Sequence, residues 1–346
     1  MQKTRSLAVF CLSHLVVDFA CLHILTGGFA RVVADPADVS VGFLLYCFIA
    51  FALQAPIGFI VDDKAYSPYA VSICGCLLCA VALAPLPVWI SLVICAFGNA
   101  LFHIGAGADV LARSGGKHAP SGFLISFGAI GVTIGTLTGS SGSVQNWIVL
   151  LPLLLCVALQ WGFCRLEAAD MKPVASAPVA VIRSDGAVIF LLLLCIVIRA
   201  LVGVFTYIPW KATVFLSLLP TLSVFAGKFL GGIVSDRLGA RATAVISLLL
   251  SAPLLSFFSH NILLCCIGLL LFNMTTAITL CLVFDRLPGY PGFSLGLTTL
   301  ALFAGTSVSY FTGMPPTIRI VFILSLTLLS TVAIALAAPR IFLPPD

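Results

Sequence analysis

The sequence predicts an all-α membrane protein of twelve transmembrane helices, arranged as two pseudo-symmetric six-helix bundles. Three observations predict it. The 346 residues are 61% hydrophobic and 8% charged, with a mean hydropathy of +1.20, against roughly 25% charged residues in soluble domains. Charge-poor apolar stretches of about twenty residues recur from end to end, each long enough to cross a hydrocarbon core of about 30 Å as a helix. The same G-x-x-x-D element ends the second span of each half, at Gly58 to Asp62 and Gly232 to Asp236, 174 residues apart.

The first span, roughly 7–27, follows Lys3 and Arg5 and so imitates a signal peptide, with Val32 to Ala34 imitating a cleavage site. His14 and Asp18 inside that stretch favour a retained helix. Spans of roughly 40–61, 67–86, 88–110, 120–141 and 146–165 complete a first bundle over 1–165. The segment 166–186 carries Glu167, Asp170, Lys172, Arg183 and Asp185 and reads as a cytoplasmic linker. Spans of roughly 187–208, 213–234, 241–258, 261–283, 292–313 and 318–338 form a second bundle over 187–346. Twelve helices of about 20 residues leave roughly a quarter of the chain for loops, which excludes a second, soluble domain.

The formal net charge is +5, but the Lys and Arg are scattered singly through short loops, which excludes a nucleic-acid patch. They follow the positive-inside rule instead. With both termini cytoplasmic, twelve of the 17 basic residues lie inside, among them Lys3, Lys64, Arg113, Lys117, Arg237, Arg241 and Arg286. Arg31, Lys211 and Arg319 lie outside, and Arg199 and Lys228 lie within spans. An inner (plasma) membrane location with several passes is expected. The thirteen Cys sit almost wholly inside apolar segments, as small buried hydrophobes. Cys74, Cys76 and Cys79 form C-x-C-x-x-C, but helical spacing makes neighbours only of Cys76 and Cys79, so no metal site is expected.

The second G-x-x-x-D copy continues as Gly232-Ile-Val-Ser-Asp236-Arg237-Leu-Gly239-Ala-Arg241. This closely resembles the loop signature of the major facilitator superfamily, G-x-x-x-D-R-x-G-x-R. The first copy keeps Gly58 and Asp62 but lacks the Arg and the second Gly. Physically, the Gly permits close helix contact, and the Asp accepts from a neighbouring helix N-terminus and pairs with a loop Arg. In the family the element is a latch that stabilises one access state. Gly58, Asp62, Gly232, Asp236, Arg237 and Arg241 are its candidate members here.

A narrower resemblance, to the fosmidomycin-resistance branch of that superfamily, runs through LSHLVVD (12–18), LQAPIGFIVDDKAYSP (53–68), NALFHIGAGADVLARSGGKHA (99–119), SFGAIGVTIG (126–135) and LPGYPGFSLGLT (287–298). It implies the major facilitator fold, a monomer, and drug or metabolite efflux driven by proton entry. Relatives carry His-Pro-Glu on helix 4 where this chain has His103-Ile104-Gly105, and Gly-Pro on helix 5 where it has Gly135-Thr136. A membrane carboxylate is therefore absent.

Ionisable groups inside a bilayer cost about 2.5 to 3.5 kcal/mol at mid-helix on the insertion scale, so they mark function. Asp18 is the one acidic residue well inside a span, with Asp109 near an inner end. His14 and Asp18 are one turn apart on one face. They either exchange a proton with the transport cycle or tie helix 1 to a neighbour, and His103 faces the same choice. His23 lies about 140° around the helix from Asp18, near the outer interface. His118 and His260 fall in loops, where a solvated role is expected. Arg199 and Lys228 suit an anionic or strongly polar substrate, although the Lys228 stem also allows snorkelling. Phe127, Tyr207, Trp210 and Phe303 are candidate cavity aromatics, with an interfacial belt the other reading of Trp210 and Trp147. Gly128, Gly131, Gly135 and Gly139 form a small-residue stripe for close packing.

No G-x-x-x-x-G-K-[ST], H-E-x-x-H or G-x-S-x-G motif occurs, so neither ATP-driven transport nor membrane hydrolysis is expected, and no cofactor or metal. The sequence reads as a non-enzymatic secondary transporter whose partners are a small-molecule substrate, protons and the lipid bilayer. The expected mode is antiport and efflux with drug resistance. A uniporter or importer, and a non-transporting receptor of the same fold, are the alternatives.

Overall fold

The computed structural model describes residues 3–165 and 178–338, and every regular element among them is helical. In chain order these are α1 Arg5–Phe29, α2 Pro36–Asp63, the shorter apolar α3 Pro68–Val81, α4 Val88–Arg113, α5 Ala119–Ser141, α6 Asn146–Cys164, α7 Asp185–Phe205, α8 Val214–Leu238, α9 Ala240–Phe257, α10 Ile262–Arg286, α11 Pro291–Tyr310 and α12 Pro316–Ala337. All but α3 are long and apolar enough to cross a membrane, eleven among the described residues. The chain is a multi-pass membrane protein.

Local chemistry sets the helix ends. Asp35 caps α2 by accepting from the Ala37 N–H, with Pro36 at the first helical position, where no N–H is needed. Thr213 and Asn261 cap α8 and α10 in the same way, accepting from Leu216 and Leu264. Gly239, at φ 87°, turns the chain sharply from α8 into α9. Proline cuts two of the expected spans short. The third ends at Val81 rather than residue 86, because Pro85 and Pro87 cannot continue a helix. The seventh ends at Phe205 rather than 208, because Pro209 drives the residue before it out of the helical region. At its other end this helix begins at Pro178, so the latter part of the expected 166–186 linker is helical. Glu167, Asp170 and Lys172 lie outside the described residues, as do the side chains of Lys3 and Arg183.

The described residues form two compact units. The first contains α1 to α4, α5 from Phe127, α6, and the segment 289–300 that opens α11. The second contains the segment 114–126 that opens α5, α7 to α10, α11 from Ala301, and α12. Each unit thus holds most of one sequence half and the beginning of one helix from the other. In the first, Phe10, Phe29, Leu92, Phe102 and Ile104 are fully buried; in the second, Leu192, Ile196, Leu248 and Leu255.

Glycine brings backbones together in the first unit. A Cβ on Gly131 would meet the Leu15 carbonyl, one on Gly135 that of Phe19, and one on Gly139 that of His23, so the α5 stripe lies directly on α1. Gly75 of α3 is pressed against the backbone of Gly98 and Phe102 in α4. Gly203 on α7, by contrast, has no atom within 4 Å of where its Cβ would be. Gly75→Ala is therefore expected to destabilise the protein by about 1 to 3 kcal/mol, the cost of overpacking. Gly203→Ala should leave stability unchanged or raise it by about 0.5 to 1 kcal/mol. Thermal melting of the detergent-solubilised variants, followed by tryptophan fluorescence, measures both.

Candidate functional site

In the first unit α1 carries His14 and Asp18 on one face and α4 brings His103 against them. His14 Nε2 lies 3.2 Å from Asp18 Oδ2. His103 Nε2 lies 2.9 Å from His14 Nε2 and 3.7 Å from Asp18 Oδ1. All three side chains are nearly enclosed, at 8%, 11% and 16% exposure for His14, Asp18 and His103. Room for them comes from Gly128 of α5, where a Cβ would strike His14 Nε2 and Asp18 Oδ2. Phe102 packs its ring beside both imidazoles.

The hydrogen-bond pattern fixes where protons sit. His103 Nδ1 is 2.9 Å from the Asn99 carbonyl, which only accepts, so Nδ1 carries a hydrogen. In a neutral ring Nε2 is then an acceptor, and His14 Nε2–H donates to it. The two rings share one proton between their Nε2 atoms, with the Asp18 carboxylate beside it. Asn99, buried in α4, steadies the carboxylate by donating from Nδ2 to Asp18 Oδ1 at 3.3 Å, and it also reaches Cys21 Sγ at 3.5 Å.

The G-x-x-x-D elements each hold the start of another helix. In the first unit Asp62 accepts from the Gly292 N–H at 3.1 Å and the Phe293 N–H at 2.8 Å. In the second Asp236 accepts from the His118 N–H at 2.7 Å and the Ala119 N–H at 3.1 Å. Gly58 and Gly232 make the approach possible. Their Cβ atoms would meet the backbone of Gly292 and Phe293 in one case and of His118 and Ala119 in the other. The partners repeat with the acids: 236 is 174 beyond 62, and 292 and 293 are each 174 beyond 118 and 119.

Arg237 and Arg241 make no ion pair among the described residues, and Asp236 takes an imidazole instead. His118 is buried, not solvated as its loop position led us to expect, with its ring 3.4 Å from Asp236 and 2.9 Å from the Ser235 hydroxyl. The reason is that this loop ends as the N-terminus of α5, which is itself gripped. His23 is also buried, between Thr138 at 3.2 Å and Asn146 at 3.4 Å.

Arg199 on α7 donates to the Thr279 hydroxyl on α10 at 3.1 Å. Lys228 is half-buried on α8, and Phe127 and Phe303 are half-buried on α5 and α11. Tyr207 lies in the loop after α7, 57% exposed, under the Arg319 guanidinium, whose centre is 5.0 Å from the ring. It lines a cavity of about 190 Å³ with Ser256, His260 and Arg319. Trp210 donates to the Ser259 carbonyl at 2.9 Å, and Trp147 is exposed. Asp109 is ion-paired with Arg113 at 2.6 Å, and Asp185 with Arg286 at 3.3 Å.

Two buried amides that bond across helices escaped the sequence reading. One is Asn99. The other is Gln160 on α6, which donates to Ser13 on α1 at 2.9 Å and accepts from Ser72 on α3 at 2.8 Å. An amide inside an otherwise apolar span was the available signal for both. Two groups of three potential ligand side chains have their atoms within 4.8 Å among the described residues. One is His14, Asp18 and His103; the other is Cys21, Cys79 and Cys95. Cys74, by contrast, is exposed, and Cys76 is turned to Gln160.

No family model and no curated protein matches this chain. Solved structures do. The fucose transporter FucP in its outward conformation, a major facilitator superfamily transporter, aligns at a TM-score of 0.68 with 16% identity, over 96% of this chain and 99% of that one. The human organic anion transporter MFSD10 aligns at 0.69 with 15% identity, over 97% and 100%. An outward-facing bacterial homologue of the iron transporter ferroportin aligns at 0.67 with 15% identity, over 95% and 98%. The chain has the twelve-helix major facilitator fold.

Proposed function

We propose that this protein is a secondary transporter of the major facilitator superfamily, akin to its fosmidomycin-resistance branch, that exports a small polar or anionic compound in exchange for protons by alternating access. The observation that carries the reading is the hydrogen-bonded His14–Asp18–His103 cluster joining α1 to α4. A carboxylate against two imidazoles that already share one proton gains and loses a second one with little rearrangement. In an enclosed site such a change of net charge is costly unless it is matched by a change of conformation or of cargo, which is what coupling requires. One solved neighbour, the E. coli FucP, is a fucose:proton symporter, so the same fold supports proton coupling elsewhere.

Arg199 and Lys228 supply positive charge in the second unit for an anionic cargo, and Phe127 and Tyr207 are candidate aromatic contacts. Gly58 with Asp62, and Gly232 with Asp236, act as conformational latches, with Arg237 and Arg241 at the inner surface. The basic residues orient the chain with both termini in the cytoplasm, in the plasma membrane. A monomer suffices for this reading. A uniporter is the second reading, favoured by His103-Ile104-Gly105, which lacks a helix 4 carboxylate.

Proteoliposomes separate the readings, with radiolabelled fosmidomycin as the probe anion. One pH unit across the membrane is worth about 1.4 kcal/mol per proton, so an exchanger of one proton per anion accumulates the probe about tenfold. Wild type is expected to do so, and Asp18→Asn to equilibrate the probe without accumulation. Accumulation by Asp18→Asn equal to wild type defeats the proton role of Asp18, and a wild type indifferent to the gradient points to the uniporter. The latch has its own readout. Asp236→Ala removes two charge-assisted bonds to a helix start and should lower stability by about 1 to 3 kcal/mol, measured by denaturant titration. Arg241→Ala, without an ion pair, should change it by less than about 0.5 kcal/mol.

A further inference from the structure

Cys21, Cys79 and Cys95 come from three helices, α1, α3 and α4, and meet in the first unit with all three sulfurs within 4.8 Å of one another. Each is fully buried, at 0% exposure. The Cys21 and Cys79 sulfurs are 3.7 Å apart, and Cys79 Sγ donates to the Cys95 carbonyl at 3.9 Å. Bonds of about 2.3 Å from a central ion to three thiolates in one plane set the sulfurs about 4 Å apart. The observed spacing, 3.7 Å for one pair and at most 4.8 Å for the others, is close to that size, so small side-chain adjustments bring the three sulfurs onto a single ion.

The geometry points to a binding site for a soft, low-coordinate metal ion of the copper(I) class. Thiolates select soft ions. Structural zinc asks for a fourth ligand, and no fourth His, Cys, Asp or Glu joins this group of fully buried thiols among the described residues. The thiol group lies next to the proton cluster. Asn99 hydrogen-bonds both Asp18, whose side chain keeps 11% exposure, and Cys21. His14, Asp18 and Cys21 follow one another along α1 at spacings of four and three, on one face. Each thiol that ligates releases its proton, so binding tightens as pH rises. A bound ion would pin α1 to α3 and α4. The inference stands whether or not Asp18 couples to protons.

The test is a competition titration of the full-length protein in detergent, with copper(I) kept reduced by ascorbate and bathocuproine disulfonate as competing chelator. Wild type is expected to withdraw about one equivalent per chain. Cys79→Ala and Cys95→Ala should each weaken that uptake at least about tenfold, while Cys47→Ala and Cys74→Ala, at less buried thiols, leave it unchanged. X-ray absorption of the loaded wild type should show sulfur neighbours only, at about 2.3 Å. Unchanged uptake by the two buried-cysteine variants, or oxygen and nitrogen neighbours in wild type, overturns the proposal. Zinc(II) held as tightly as copper(I) overturns the assigned ion class. The absorption spectrum needs no variant, so the test survives if a substitution prevents folding.

Discussion

The start of a helix held by a carboxylate is the interaction on which this architecture turns. A helix N-terminus inside a membrane protein presents several N–H groups without intrahelical partners, and lipid cannot satisfy them. Asp62 and Asp236 each answer two of them, and the negative charge matches the positive end of the helix dipole. The glycine one turn earlier is what makes this possible. With a side chain at 58 or 232 the two backbones could not come close enough for the carboxylate to reach. Gly and Asp at that spacing are one device: the first removes an obstacle and the second fills the space with a bond. The proline in the first turn of each gripped helix, Pro120 and Pro291, contributes no N–H and so reduces the number of donors to be satisfied.

The polar cluster of the first unit depends on the same economy of side chains. Gly128 is empty where His14 and Asp18 need room, and the rest of the stripe, Gly131, Gly135 and Gly139, lets α5 rest on α1 along its length. A charge among so many apolar side chains is tolerable because Asp18 has polar neighbours, two imidazoles and an amide, with a backbone carbonyl behind His103. Burial strengthens these bonds and raises the cost of removing any one of them.

Much of this was legible in the sequence, and the remainder failed for reasons particular to each residue. Spans are readable because lipid demands about twenty apolar residues per crossing, and two of those that ran too long did so where Pro85, Pro87 and Pro209 should have stopped them. His14 and Asp18 are readable together because their spacing is local. What joins them is not, since nothing in the chain says which face of α4 is turned to α1. The acids of the G-x-x-x-D elements stood out, whereas their partners lie 117 and 118 positions away for Asp236 and 230 and 231 for Asp62. His118 was misjudged for that reason. C-x-C-x-x-C drew attention to sulfurs that are neighbours in sequence, while the thiols that meet, at 21, 79 and 95, belong to three separate helices.

The distance along the chain between Asp62 and its donors has a consequence for biosynthesis. Ribosomes add about 5 to 20 residues per second, so Asp62 enters the membrane roughly 10 to 50 s before Gly292 and Phe293 have been made. For that interval the carboxylate must be sheltered by water, headgroups or the insertion machinery, and the first unit waits for roughly the final sixth of the polypeptide. The second unit is under no such delay, since His118 and Ala119 are already present when Asp236 arrives. A chain stopped short of residue 292 would complete one grip and leave the other open, which offers quality control a simple way to distinguish unfinished molecules from finished ones.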